Sequence, residues 1–363
     1  MKSFLVSQNE AGQRLDKLLS KYMDTAPKSF FYKMLRKKNI TLNGKKAEGS
    51  EKVAEGDEIR LFLSDETIAG FQSGKKINDS STRVETKRAN EEMLLLKEQE
   101  IVFEGKHLLI VNKPAGELSQ KAKKDDISIN ERIVEYLRVV HGIGKDSFTP
   151  GVCNRLDRNT TGLIIAGKSL AGLQEMAELL KKRTVHKYYL CIVAGKADKR
   201  RHLTGYLKKE ESTNTVQVVS EEEFKRLGLS LKEYDRIETE LIPLITNGGS
   251  TLLAIQLITG KTHQIRAHLA SVGLPLLGDT KYGSEKAKRL NQSLGLRYQL
   301  LHAYLLQFPM LSGALAEVSE KIITVRPPVK FAKAADELFG KEEWKHAIME
   351  FERSSRFRPG GTD

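Results

Sequence analysis

Only two cysteines, Cys153 and Cys191, occur in the 363 residues, and neither belongs to a Cys-x-x-Cys pair. That excludes a disulfide scaffold and a thiolate zinc cluster, and it fits a reducing compartment. No stretch approaches the roughly 20 apolar residues that a membrane helix needs. Met1–Gln8 lacks the apolar run of a signal peptide, so a cytoplasmic protein without membrane contact is expected. Glycine-rich nucleotide loops are also missing. Gly260-Lys261-Thr262 imitates the end of a phosphate-binding loop, but Ile255 stands where that loop needs a glycine, which disfavours a nucleotide triphosphatase. No glycine-rich strand-to-helix turn marks a methyltransferase cofactor site, and no cofactor or nucleotide is expected. Negative charge is in deficit, with 47 Asp and Glu against 60 Lys and Arg and a net charge of +13. Each cation placed at a phosphate releases condensed counterions, so the expected partner is a nucleic acid.

Residues 1–63 form one compositional unit. Leu15, Leu18, Leu19 and Tyr22 recur at helical spacing, as do Phe30, Phe31, Met34 and Leu35. Asn43-Gly44 between Ile40-Thr41-Leu42 and Lys45-Lys46 signals a two-residue hairpin turn, and Glu58–Leu63 reads as a strand. Met1 to Lys46 holds 11 basic and 3 acidic residues. Lys33, Arg36, Lys37, Lys38, Lys45 and Lys46 gather at one helix end and the following hairpin, either a solvated face or a compact phosphate-sized patch.

Residues 64–97, rich in Ser, Thr, Asn, Lys and Glu, read as a flexible linker. Residues 98–330 read as one α+β domain. Its strand candidates are His107–Asn112, Leu163–Ala166, Tyr188–Ala194 and Leu252–Ile258, and its helix candidates are Ile129–Val140, Leu170–Lys182 and His263–Val272. Residues 331–363 read as a helix from Phe331 to Phe351 followed by a disordered tail.

Four segments of the large domain carry candidate chemistry. Val111-Asn112-Lys113-Pro114-Ala115-Gly116 is a turn after an apolar strand. Asn154-Arg155-Leu156-Asp157-Arg158-Asn159-Thr160-Thr161-Gly162 is a polar loop running into an apolar strand, where a reactive side chain can be both rigid and accessible. The cations flanking Asp157 favour an ionised carboxylate, although a turn-stabilising Asp is the simpler reading. In His186-Lys187-Tyr188-Tyr189, strand alternation sends the two rings to opposite faces, so that one can pack in the core while the other faces a cleft, although two half-buried tyrosines are the simpler reading. In Thr259-Gly260-Lys261-Thr262-His263-Gln264-Ile265-Arg266, Arg266 lies one turn into a helix, placed to pair with a carboxylate or phosphate. His263 and His268 are five apart, not the four that would align them for zinc, and both read as structural.

In combination, from about Ile101 to Pro327, these segments resemble the RluA-type family of pseudouridine synthases, in its large-subunit rRNA branch. The resemblance rests on Arg155-Leu156-Asp157 before Thr161-Gly162, Lys187-x-Tyr189-Leu190, Thr259-Gly260-Lys261-x-His263-Gln264-Ile265-Arg266, Leu276-Leu277-Gly278-Asp279 and Leu301-His302-Ala303. Residues 12–63 resemble the S4-like RNA-binding fold first recognised in a small-subunit ribosomal protein, through Arg14-Leu15-Asp16-Lys17-Leu18-Leu19 and Leu42-Asn43-Gly44-Lys45. Departures are Asn154 where the family has His, Lys261 where Arg is commoner, and a poor fit over 221–249. The resemblance implies a mixed, mainly antiparallel sheet with flanking helices, preceded by the small α+β domain. It implies isomerisation of uridine with Asp157, Tyr189 and Arg266 as catalytic residues and no metal. Lys33, Arg36, Lys37, Lys38, Lys45, Lys46, Arg155 and Lys187 are the expected RNA contacts of a monomeric enzyme. Large-subunit rRNA is the expected substrate, tRNA the alternative, and a non-catalytic RNA-binding or ribosome-assembly protein the competing reading.

Overall fold

The computed structural model describes residues 2–7, 10–71, 95–123, 126–143 and 148–354. Most of the expected linker and the tail beyond Ser354 lie outside the described residues. The chain builds two compact units, one from residues 1–109, 123–153 and 165–178, the other from 110–122, 154–164 and 179–363.

In the first unit, the amphipathic helices Leu15–Tyr22 and Lys28–Arg36 bury Leu15, Leu18, Leu19, Phe31 and Leu35. They pack with a four-stranded sheet ordered Lys2–Leu5, Glu58–Leu61, Ile40–Leu42, Lys45–Lys46. The hairpin falls at Asn43-Gly44, whose φ values of 51° and 71° are those of the turn that matches strand twist. A further helix, Asp65–Gly70, occupies the start of the expected linker. Ser64 caps it by accepting the Thr67 N–H, and Ile68 is buried in the same core. One turn with a single apolar anchor carries no readable period, which is why composition alone assigned it to the linker. The same unit contains the expected helix Ile129–His141.

The second unit is built on a mixed sheet. Strands follow the order Thr215–Val219, Arg201–Glu210, Asp235–Thr246, Ser250–Leu257, His186–Ala194, Leu301–Gln307, then the start of Thr161–Gly167. Neighbours are antiparallel except the last pair, which runs parallel with Thr161 opposite His302 and Gly162 opposite Ala303. Strand alternation sorts the two tyrosines as expected. Tyr188 meets Phe351 edge-on at 5.5 Å between ring centres, while Tyr189 faces the other side, beside Ile255. On that side the helix Gln264–Ser271 rests on Thr239 through Gln264 and His268.

The C-terminal region is two helices, Val329–Phe339 and Glu343–Ser354, not the single one expected. Gly340 breaks them with φ 88°, a conformation open to glycine. Their Phe331, Phe339, Trp344, Ile348 and Phe351 share one core with Leu190, Ile192, Leu252 and Ala254. The boundary expected at residue 330 therefore divides a continuous core. Among the described residues no helix is long and apolar enough to cross a membrane.

Gly162 lets the parallel pair approach closely. Its φ is 108°, and a Cβ there would sit 2.2 Å from the Ala303 carbonyl oxygen. Gly162→Ala is expected to cost at least about 2 kcal/mol of stability, from backbone strain and overpacking together. Urea unfolding of the two proteins checks this, and equal midpoints would contradict the close approach.

Candidate active site

Asp157 is displayed by a loop whose peptide groups are pinned on both sides. The Ser119 hydroxyl donates to the Leu156 carbonyl at 2.7 Å and accepts the Leu156 N–H at 2.8 Å. The Arg158 carbonyl accepts the Gly116 N–H at 3.0 Å and the Lys113 ammonium at 2.9 Å. Lys113 is wholly buried and also donates to the carbonyls of Pro114 and Glu117. Burial pulls it down to about 8, against the charges of Glu117 and Asp157 that favour its cation. The Asp157 carbonyl accepts the Thr160 N–H at 3.0 Å, and the Thr160 hydroxyl accepts from Gln299 at 3.2 Å. Next along the chain, Thr161 bonds His302 Nδ1 at 2.8 Å while His302 Nε2 lies 3.0 Å from the Val325 carbonyl. Nε2 therefore carries the hydrogen, and burial, pushing His302 down to about 4, keeps the ring neutral. A loop held this way can aim one side chain with little freedom.

Asp157 Oδ2 accepts a hydrogen bond from Arg266 Nη1 at 3.1 Å. Arg266 comes from the helix Gln264–Ser271, 109 residues later in the chain. Asp279 accepts two further hydrogen bonds from it, Nε to Oδ2 at 2.7 Å and Nη2 to Oδ1 at 2.9 Å. Asp279 has no exposed side-chain surface and also accepts the backbone N–H groups of Lys281 and Tyr282. Burial pushes its carboxyl up, but the Arg266 hydrogen bonds and charge outweigh that and hold it below the usual range. Burial works against the Arg266 cation, and Asp279 and then Asp157 raise it well above its ordinary value. The Tyr282 ring lies 5.2 Å from the guanidinium carbon, a cation–π contact that shields one face.

Tyr189 reaches the same small cavity of ≈60 Å³ as Arg155, Asp157, Lys261, His263 and Arg266. Burial first, and then the negative charge of Asp157, raise its phenol well above its ordinary value, so it keeps its proton at neutral pH. The arrangement is a carboxylate with one oxygen tied to a fixed guanidinium, next to a protonated aromatic wall. Such a group can act as nucleophile or base without a metal.

The three expected catalytic residues thus converge in space. Arg155 is exposed on the rim, and neither it nor Arg158 pairs with Asp157 among the described residues; the partner is the distant Arg266. Lys187 is half-buried on the Tyr189 face of its strand, where burial and then Arg183 lower its affinity for a proton. Lys33, Arg36, Lys37, Lys38, Lys45 and Lys46 are all exposed in the first unit. Lys28, Tyr32 and Arg36 extend that basic surface along one helix face, four residues apart.

Sequence reasoning missed three contributors. Lys113 ends an otherwise apolar strand, and a charge at that position was the available signal. Asp279 was quoted for its motif without a role. His263 was grouped with His268, yet the two differ. His268 bonds Thr239 and is driven to about 4 by burial, whereas His263 Nε2 lies 4.0 Å from Asp157 Oδ2.

Residues 107–271 match the family model described as RNA pseudouridylate synthase. A ribosomal large subunit pseudouridine synthase C of Haemophilus influenzae is 29% identical, covering 85% of this chain and 87% of the relative. An uncharacterised RNA pseudouridine synthase of Mycoplasma genitalium is also 29% identical, over 85% of this chain and 89% of its own length. In fold, the chain is similar to human RNA pseudouridylate synthase domain containing 4, with a TM-score of 0.54 and 22% identity over 70% of this chain and 97% of that one. With these likenesses spanning most of its length, the chain is similar to pseudouridine synthases, and its residues 107–271 match their family model.

Proposed function

We propose that the protein converts specific uridines of large-subunit ribosomal RNA to pseudouridine in the cytoplasm, with Asp157, Arg266 and Tyr189 as its catalytic residues. The observation that carries the reading is the Arg266 guanidinium, locked by Asp279 and donating from Nη1 to Asp157. The relatives' names, which specify the ribosomal large subunit, support the substrate. A surplus of basic residues supports a structured RNA partner.

The reaction breaks the bond between uracil N1 and ribose C1′ and forms one between C5 and C1′. The C5 proton leaves and N1 gains one, so no oxidant or external energy is required. Asp157 serves as nucleophile at the ribose or as the base that removes a ribose proton. Either role calls for a carboxylate held in one place, and Arg266 Nη1 donates to its Oδ2 at 3.1 Å. Tyr189, still protonated, offers its ring to the target base, a stacking contact of about 1–3 kcal/mol. The base reaches it only by leaving its stack. Residues 1–63, with the exposed cluster from Lys33 to Lys46, act as an S4-like RNA-binding domain. Arg155 and Lys187 meet phosphates flanking the target.

Asp157→Asn is expected to abolish pseudouridine formation while RNA binding persists. Mapping pseudouridines in ribosomal RNA from a deletion strain, complemented with either form, checks both substrate and residue. Restoration by Asp157→Asn would overturn the assignment.

Asp279→Ala strands a buried guanidinium and is expected to cost roughly 3–5 kcal/mol of stability. It should also lower kcat, because Nη1 is then no longer aimed; denaturant titration and single-turnover rates measure the two effects.

Replacing Lys37 and Lys38 together by Glu is expected to weaken RNA binding and to flatten log Kd against log salt by about 1 for each phosphate no longer neutralised. Binding isotherms at several salt concentrations test it, and an unchanged slope would place the RNA elsewhere.

A further inference from the structure

We infer that His263 is a positioning residue: its Nε2–H engages Oδ2 of Asp157 and leaves Oδ1 as the oxygen that meets the target ribose. The inference rests on the pseudouridine-synthase reading of this site.

The backbone is the first observation. His263 has φ 53° and ψ 16°, a left-handed conformation at the N-cap of the helix Gln264–Ser271. A non-glycine residue rarely adopts it, and where it persists at a reactive site the strain commonly serves the geometry of that site. Here it turns the ring into the cleft shared with Asp157 and Arg266.

Hydrogen bonding then fixes which nitrogen carries the proton. Tyr282 Oη accepts the Val216 N–H at 2.9 Å and lies 2.9 Å from His263 Nδ1. A phenol has one hydrogen, and among the described residues Nδ1 is its acceptor. An imidazole that accepts at Nδ1 and is neutral carries its hydrogen on Nε2. Burial holds the ring below its ordinary value, and Arg266 and Lys281 add to that against the pull of Asp157 and Asp279. The contact with Asp157 is therefore donor to acceptor rather than ion pair to ion pair.

Nε2 stands 4.0 Å from Oδ2, one small contraction from a hydrogen bond, and such contacts tighten when substrate closes a site. An aspartate carboxylate rotates easily about its last torsion, so one bond from Arg266 leaves its two oxygens free to exchange. A second donor on the same oxygen stops that rotation. Tyr282 joins the parts: its ring covers Arg266, its N–H bonds Asp279 and its hydroxyl orients His263.

Two substitutions separate this role from a structural one. The amide nitrogen of Gln reaches the place of Nε2, whereas that of Asn reaches only the place of Nδ1. Asn, however, tolerates the left-handed backbone better. With large-subunit rRNA transcribed with tritium at uridine C5, tritium release reports turnover. His263→Asn is expected to lose about 10- to 100-fold in kcat at unchanged KM, the scale of a misplaced reacting group. His263→Gln is expected to turn over faster than His263→Asn. Tyr282→Phe leaves the strained backbone untouched and should lower kcat without changing KM, which keeps the test open if the His263 variants fold poorly. A faster His263→Asn than His263→Gln, a loss confined to KM, or wild-type kcat in Tyr282→Phe overturns the inference. If the wild-type protein itself releases no tritium, the functional reading falls and the inference with it.

Discussion

The buried ion pair between Arg266 and Asp279 is the contact on which the site depends. Removing both charges from water is costly, and two parallel hydrogen bonds plus two backbone N–H donors to Asp279 offset that cost. The arrangement holds the guanidinium in one orientation. It ties down Nε and Nη2, and the orientation this fixes directs Nη1 at Asp157. Asp279 carries most of the compensation for Arg266, and Asp157 takes a single hydrogen bond from it.

Around that pair, the rest of the site is made of fixed backbone. Ser119 and Lys113 grip the peptides on either side of Asp157, and Gln299 and His302 hold the threonines that follow. Lys113 lies buried and donates to three carbonyl oxygens. A lysine used in this way is a rivet for irregular chain, satisfying acceptors that no strand reaches. The cleft wall is equally constrained, since Tyr189 belongs to a central strand with neighbours on both sides.

Isomerising a base within RNA asks for such rigidity more than for reactive groups. In the proposed reaction no electron is moved and no energy source consumed, so the task it sets is to extract one nucleotide, hold it and place one carboxylate. Affinity comes from elsewhere. In the proposed reading, exposed lysines and arginines would supply a salt-dependent attraction that is indifferent to base identity, leaving the choice of uridine to the shape of the RNA and the cleft.

Much of this was legible along the chain. Period-3.6 patterns predicted the two N-terminal helices, Asn43-Gly44 the hairpin, and strand alternation the opposite facing of Tyr188 and Tyr189. Asp157, Tyr189 and Arg266 stood out by motif. Hidden were the helix Asp65–Gly70, too short to show a period, and the break at Gly340 between two helices that otherwise share one pattern. Roles that depend on distant partners were also hidden. Arg155 and Arg158 adjoin Asp157 in sequence, yet Arg266 is its partner, because side chains of adjacent residues in a turn diverge while a helix from far along the chain points back. The order of residues dictates the chemistry available: which groups carry charge, which faces are apolar and which turns can form. Which of those charges meet is settled in three dimensions alone, because pairing follows from how a sheet and a helix bring remote segments within hydrogen-bond reach.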